Sequence, residues 1–486
     1  MMPRFIAIVA TLVVLVGVTG VFVEHISTSA STAEREGTQN SASSGFGGSR
    51  YNAVVQGLPT LSAPVDFDRL ADSSGVELLR QLGELDQVSI GRFADAHPEK
   101  LSALVALPPL AHDVAGWWSE IGAEPRRALV LAVPGVIGNL QGVPYEVRDA
   151  ANRSYLKSSI VMLERAVAEG AGRAADVALQ AQLRMLRQIE LALGDRGTVP
   201  ARSLIAVDIE WPGRAAVALG DLSTADFVSY LVPGMFFTVD GQIVDWTTTA
   251  QALHSEELTL LGSIRQPDGS ASVTHSSIAT VAWMGYETPT VFTVGELALA
   301  NEGADRIAQA IGGLRAVRAG DQPFVTLITH SYGSTAASIA LSDGVTAVDA
   351  LAIVGSPGVV VASASDLAVR AGNVFVGEAS WDPVVLGTFY GHDPAGEAFG
   401  ARPIGVTGGT DDLTGIALAA STGHNGYFVP GSECLRNLAL ISLGSGDLVM
   451  GDAGAAVLAS GQSNTQTFAQ PQTIVRSPRI VSLLRG

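Results

Sequence analysis

The stretch from Phe324 to Ala340 restricts this chain more than any other part of it. An apolar run, Phe324-Val325-Thr326-Leu327-Ile328, breaks at His330-Ser331-Tyr332-Gly333, and an alanine-rich segment without helix breakers follows. The pattern predicts strand, sharp turn and helix, with a serine at the apex. A serine held there needs small neighbours two residues away, because strand and helix approach each other closely. Gly333 meets that need on one side; on the other, Thr329 stands where glycine is expected, and a β-branched residue is crowded there. The helix start behind the serine favours negative charge, and the backbone N–H of Tyr332 is placed to meet an oxyanion. Alone, a serine in a strand–helix turn is commonplace.

Chain order adds chemistry. After a further strand-like run, Asn373 to Ala379, an acid follows in Ser380-Trp381-Asp382-Pro383, and later a histidine stands in the glycine-bounded loop Thr422-Gly423-His424-Asn425-Gly426. Serine, then acid, then histidine is the order of one large group of acyl-transfer enzymes. In that template Ser331 is the nucleophile, His424 the general base and acid, and Asp382 the carboxylate that orients the imidazole. The oxyanion hole needs a second N–H from the loop after an earlier strand, and Val232-Pro233-Gly234-Met235-Phe236 offers Met235 or Phe236. Each partner has a plainer reading, since Asp-Pro commonly caps turns and a loop histidine is commonly just solvated. His330 is expected to pack away from the nucleophile, His392 and Asp393 to lie on a loop lining the site, and Glu378 to lie within a strand.

The surrounding texture is consistent with such a site. Residues 66–199 read as helical, with stripes such as Leu78, Leu79, Leu82, Leu85 and Leu179, Leu183, Leu186, Ile189, Leu193. From 200 to 445, short β-branched runs alternate with helical stretches, which implies an α/β domain with a mostly parallel sheet and helices on both faces. Residues 446–486 form a tail. The early strands lack a G-x-G-x-x-G turn, and the only lysines, Lys100 and Lys157, sit in no phosphate-binding loop. A net charge of −18 leaves no basic face for nucleic acid. The eight histidines show no paired metal-ligand spacing, and neither a metal nor another cofactor is expected. The single cysteine, Cys434, falls in a predicted helix and reads as a buried thiol.

At the amino end, Arg4 precedes an uncharged run from Phe5 to Val23, long enough to span ~30 Å of hydrocarbon. Residues 1–26 read as a signal anchor or a cleaved signal peptide, and 27–65 as a flexible Ser/Thr/Gly-rich linker. The expectation is a membrane-tethered body outside the cell, or a secreted one.

Taken together, Leu231-Val232-Pro233-Gly234, Ala282-Trp283-Met284-Gly285-Tyr286-Glu287-Thr288-Pro289, the elbow, Val354-Gly355-Ser356-Pro357-Gly358 and Gly423-His424-Asn425-Gly426-Tyr427-Phe428 resemble one α/β-hydrolase family. It is abundant in high-GC Gram-positive bacteria and long catalogued as a domain of unknown function. The upstream Ile137 to Pro144 segment, with Arg148, Ala151, Asn152 and Arg153, resembles the helical segment that precedes its catalytic domain. The resemblance implies an α/β-hydrolase fold, a serine triad and no cofactor. Apolar residues expected at the mouth (Met235, Phe236, Trp283, Trp381, Phe389) favour a small-molecule or lipid-like acyl substrate, with the helical region or residues 240–278 as its cover. The alternative, motivated by Thr329, is a catalytically silent surface or envelope interaction module.

Overall fold

The structure, a computed structural model, describes residues 66–451 apart from 171, 196, 264–275 and 291–292. The apolar run at 5–23, the linker up to residue 65 and most of the 446–486 tail lie outside the described residues. Among the described residues no helix is long and apolar enough to cross a membrane.

Seven short helices fill the stretch from Phe67 to Ile137. Their apolar stripes meet in a core of their own, built on Leu78, Leu79, Ile90, Phe93 and Trp117. Two longer helices follow, α1 (Tyr145–Glu169) and α2 (Arg173–Leu193), then strands β1 (Arg202–Asp208), β2 (Arg214–Leu219) and β3 (Phe227–Val232). Next come α3 (Val239–Leu261), β4 (Ile278–Met284), α4 (Ala298–Val317), β5 (Phe324–His330) and α5 (Tyr332–Ser342). Then come β6 (Ala350–Val354), β7 (Val374–Gly377), the short β8 (Arg402–Pro403) and α6 (Glu433–Ser442).

The eight strands form one sheet in the order β1-β2-β4-β3-β5-β6-β7-β8, and only β2 runs against its neighbours. β4 is buried along its whole length, as a strand covered on both faces must be. Helices α1, α2, α3 and α6 pack on one face; α4 and α5 pack on the other. The chain leaves β3 through α3 to β4 on one side, then returns through α4 to β5 on the other side of β3. The connections therefore part between β3 and β5, and the carboxyl ends of those two strands are where open sheets of this kind generally take their ligands.

This arrangement corrects one expectation. Residues 239–261 form no cover over the pocket: Ile243, Ala250, Leu253 and Leu260 of α3 are buried in the core beneath the sheet. Of the helical region, α1 and α2 are bound to the sheet as part of its packing. Leu156 and Ile160 of α1, and Leu186 and Ile189 of α2, share one core with β1 and β2.

The first strand is an edge, and its unpaired backbone groups are met by side chains. Asn139 closes both on Val207, donating to its carbonyl at 2.9 Å and accepting from its N–H at 2.9 Å. Asp149 accepts from the Leu204 N–H at 2.6 Å, while Asn152 donates to the Leu204 carbonyl at 3.0 Å. Arg148 and Arg153 donate to the carbonyls of Ile205 and Arg202. An edge satisfied in this way cannot pair with another chain.

Candidate functional site

β5 delivers its last residue, His330, into the core and Ser331 onto the turn. Ser331 holds φ 55°, ψ −129°, a conformation that L-residues avoid and that costs about 1–3 kcal/mol. Its amide donates to the Val354 carbonyl at 3.0 Å, which fastens the turn to the end of β6. Gly333 is required, because a Cβ there would lie 2.7 Å from the carbonyl oxygens of both Val232 and Pro233. Thr329 is accommodated: it is fully buried, and its hydroxyl donates to the Ala352 carbonyl at 3.1 Å. The crowding expected of a β-branched residue is relieved because the side chain lies along β6.

The loop after β3 lies against the nucleophile. A Cβ on Gly234 would sit 2.5 Å from Ser331 Cβ and 2.9 Å from its Oγ. The Trp283 to Pro289 segment holds this loop in place. The Tyr286 hydroxyl donates to the Pro233 carbonyl at 2.7 Å, and that of Thr288 to the Phe237 carbonyl at 2.7 Å. Pro289 accepts the Phe236 N–H at 3.1 Å. That bond corrects the oxyanion expectation for Phe236, whose amide is already committed. The N–H groups of Met235 and Tyr332 have no acceptor among the described residues.

On the far side, His424 and Asp382 meet. The imidazole Nδ1 lies 3.0 Å from each carboxylate oxygen of Asp382. Tyr427 donates to Asp382 Oδ2 at 2.6 Å, and the Val384 amide donates to Oδ1 at 2.9 Å. The carboxylate is 3% exposed. Burial alone would raise its pKa, but the bonds from His424, Tyr427 and the Val384 amide outweigh that and hold it below the ordinary carboxylate value. The turn after β6 brings this pair to the serine. A Cβ on Gly355 (φ 61°) would meet the Tyr427 ring at 2.8 Å, Asp382 Oδ2 at 3.0 Å and His424 Cε1 at 3.3 Å. The preceding residue, Val354, is the one that holds the Ser331 amide. Among the described residues no hydrogen bond joins the Ser331 hydroxyl to the imidazole, a contact that commonly tightens only with substrate bound.

The rivals are not part of this pair. His392 is exposed, and its backbone exchanges hydrogen bonds with Val359 at 2.8 Å in each direction. Glu378 lies one residue beyond β7 and not within it. Burial first, then Asp393 and Asp382, push its carboxyl up to about 8. Trp283 belongs to the core, stacked on Tyr286 at 6.0 Å, and does not line the mouth. Cys434 is fully buried, and burial pushes its thiol up. Among the described residues no cluster of His, Cys, Asp or Glu has the geometry to hold a metal ion. The sequence motifs contain Tyr427, Tyr286, Thr288 and Pro289 without showing their roles: Tyr427 ties the Ala379 amide (3.0 Å) to Asp382, and the other three shape the loop beside the serine.

The mostly parallel sheet with a sharp serine turn after β5 is the arrangement of the α/β-hydrolase fold, and residues 208–387 match a family model described as Alpha/beta hydrolase. The chain is 29% identical over 411 residues to an uncharacterized protein of Mycobacterium tuberculosis, covering 74% of this chain and 60% of that one. It therefore spans about 60% of the length of that relative. An uncharacterized Mycobacterium bovis protein is 29% identical over 224 residues, 45% of this chain and 80% of that one. Among solved structures, a fungal esterase from Rhizomucor miehei matches with TM-score 0.33 and 12% identity, over 60% of this chain and 96% of that one. The thermophilic carboxylesterase EstE1 matches with TM-score 0.29 and 12% identity, over 58% and 99%.

Proposed function

We propose that the protein is a serine hydrolase that cleaves an ester, thioester or amide of an apolar acyl group through an acyl-enzyme intermediate. The observation that carries this reading is the buried Asp382–His424 pair lying against the turn that holds Ser331 in its strained conformation. Ser331 Oγ attacks the acyl carbon while His424 takes its proton. The oxyanion so formed is met by the N–H groups of Tyr332 and Met235. His424 then gives its proton to the leaving group, whose bond to the acyl carbon breaks. Water repeats the sequence on the acyl-serine, and the acid is released. Asp382 fixes the imidazole tautomer with Nδ1–H and supports its charge.

The rim supports an apolar acyl group. Trp381 is 92% exposed beside Asp382 and held at φ 62°, and Leu386, on the same loop, is 86% exposed. Phe389 and Phe236 add half-exposed rings from two loops. Thr329, the motive for a silent module, fits its place without distorting the turn. The test is labelling by a fluorophosphonate probe. Wild-type protein should be labelled at one site and Ser331→Ala should not; labelling that persists in folded Ser331→Ala overturns the assignment. We propose further that the body lies outside the cytoplasm, tethered by residues 5–23 or secreted if that segment is cleaved; protease accessibility on intact cells, with assay of the culture medium, checks this.

A further inference from the structure

His330, immediately before the nucleophile, is buried at 3% exposure, and its position is not that of an idle core residue. Its Nε2 lies 2.7 Å from the backbone carbonyl oxygen of His424. Its ring lies 4.6 Å from the His424 ring, centroid to centroid, tilted by 38°. A carbonyl oxygen only accepts, so Nε2 must carry a proton. The other nitrogen, Nδ1, is buried with no hydrogen-bond partner among the described residues. A charged imidazolium needs an acceptor at both nitrogens, so this ring is the neutral tautomer with a bare Nδ1. Burial and the neighbouring His424 together push its pKa down to about 3. Phe237 and Phe428 close the remaining sides of the ring edge-on, at 6.3 and 5.9 Å.

We infer that His330 is a positioning residue for the base: its Nε2–H holds the main chain of His424, and its neutral ring backs the His424 imidazole. This rests on the serine-hydrolase reading and adds a fourth side chain to it. The strand that delivers the nucleophile thereby also sets the base, through adjacent residues. Sequence proximity does the work that a long loop could not. Because His330 stays neutral, the charge that forms on His424 during turnover meets no repulsion from the ring behind it. Because its bare nitrogen is buried with no hydrogen-bond partner among the described residues, it does not compete for the serine proton.

The groups that face His330 are His424, Asp382 and Tyr427, so the experiment must separate positioning from titration. His330→Phe keeps a ring and loses the donor. His330→Gln places an amide N–H near the position of Nε2. With a soluble ester, His330→Phe should lower kcat about 10- to 100-fold, the size of loss that slight misplacement of a catalytic group produces, with KM within about twofold. His330→Gln should recover most of that loss. In wild-type protein, nitrogen-15 spectra of the imidazoles should show His330 as a non-titrating Nε2–H tautomer from pH 5 to 8, a measurement that needs no variant to fold. Wild-type turnover by His330→Phe, no rescue by folded His330→Gln, or titration of His330 in that range would overturn the inference. Ser331→Ala tests the underlying reading separately: retained turnover there sinks the serine mechanism and leaves the His330 tautomer result standing.

Discussion

At the scale of single residues, the site depends on what sits behind Asp382 and beside Ser331. Replacing Asp382 by Asn removes the acceptor that selects the imidazole tautomer, and kcat should fall by about 10⁴ while the fold persists. Steady-state kinetics with parallel circular dichroism checks both halves of that statement. Gly234→Ala acts differently, because its Cβ would reach within 2.5 Å of Ser331 Cβ. The loop must retreat, so probe labelling should slow severely even where the unfolding midpoint moves little. Glu378 offers a pH signature with a definite sign. Its carboxyl is pushed up to about 8 in the folded chain, by burial first and then by Asp393 and Asp382, against ~4.3 unfolded. Between those values the folded state holds a proton that the unfolded state has lost, so the group's contribution to stability declines as pH rises through the window. Glu378→Gln should match wild type near pH 4 and become progressively more stable than wild type towards pH 8. Denaturant midpoints across that range decide it, and a difference that does not grow with pH would count against the assignment.

At the scale of elements, α1 carries more than its apolar stripe. Asn152 is fully buried and donates to the carbonyls of Gly138 (2.8 Å) and Leu204 (3.0 Å) at once. Truncation to alanine leaves both carbonyls without their donor and should cost about 2–4 kcal/mol, read as a lowered urea midpoint. This also shows where legibility ended. The strands from β1 to β7 are legible in the sequence because each is an apolar run bounded by glycine, proline or polar turns; the two-residue β8, Arg402–Pro403, carries no such run. The Ser331, Asp382 and His424 positions were readable because their order in the chain is diagnostic. The Arg148, Asn152 and Arg153 pattern is visible in the sequence, but its purpose is not. Its targets are backbone atoms of a strand roughly fifty residues downstream, and backbone atoms leave no trace in composition. The roles of Tyr427 and Tyr286 are hidden in a similar way: each acts through a hydroxyl on a partner far away in the chain. The 239–261 helix could be expected as a cover because a crossover helix and a lid carry the same apolar stripe.

At the scale of the whole molecule, the helical region and the sheet cannot be treated as beads on a string. The face of the sheet that carries α3 and α6 is completed by α1 and α2, and β1 has its edge closed by residues from 139 to 153. A chain beginning at residue 200 would expose the apolar side of β1 and β2 where Leu156, Ile160, Leu186 and Ile189 now pack. It would also leave a row of unpaired backbone groups on an edge strand, a ready template for another copy. Such a chain should aggregate or elute as large species, whereas one beginning at residue 66 should elute as a single folded species. Size-exclusion chromatography with light scattering distinguishes them. A stable monomer from residue 200 onward would show that the two parts fold independently, and the side chains on β1 would then be accessories to the fold. Co-expression of the 66–199 segment should restore solubility to the shorter chain, since the contacts it lacks are made by packed side chains and not by the peptide bond at residue 200.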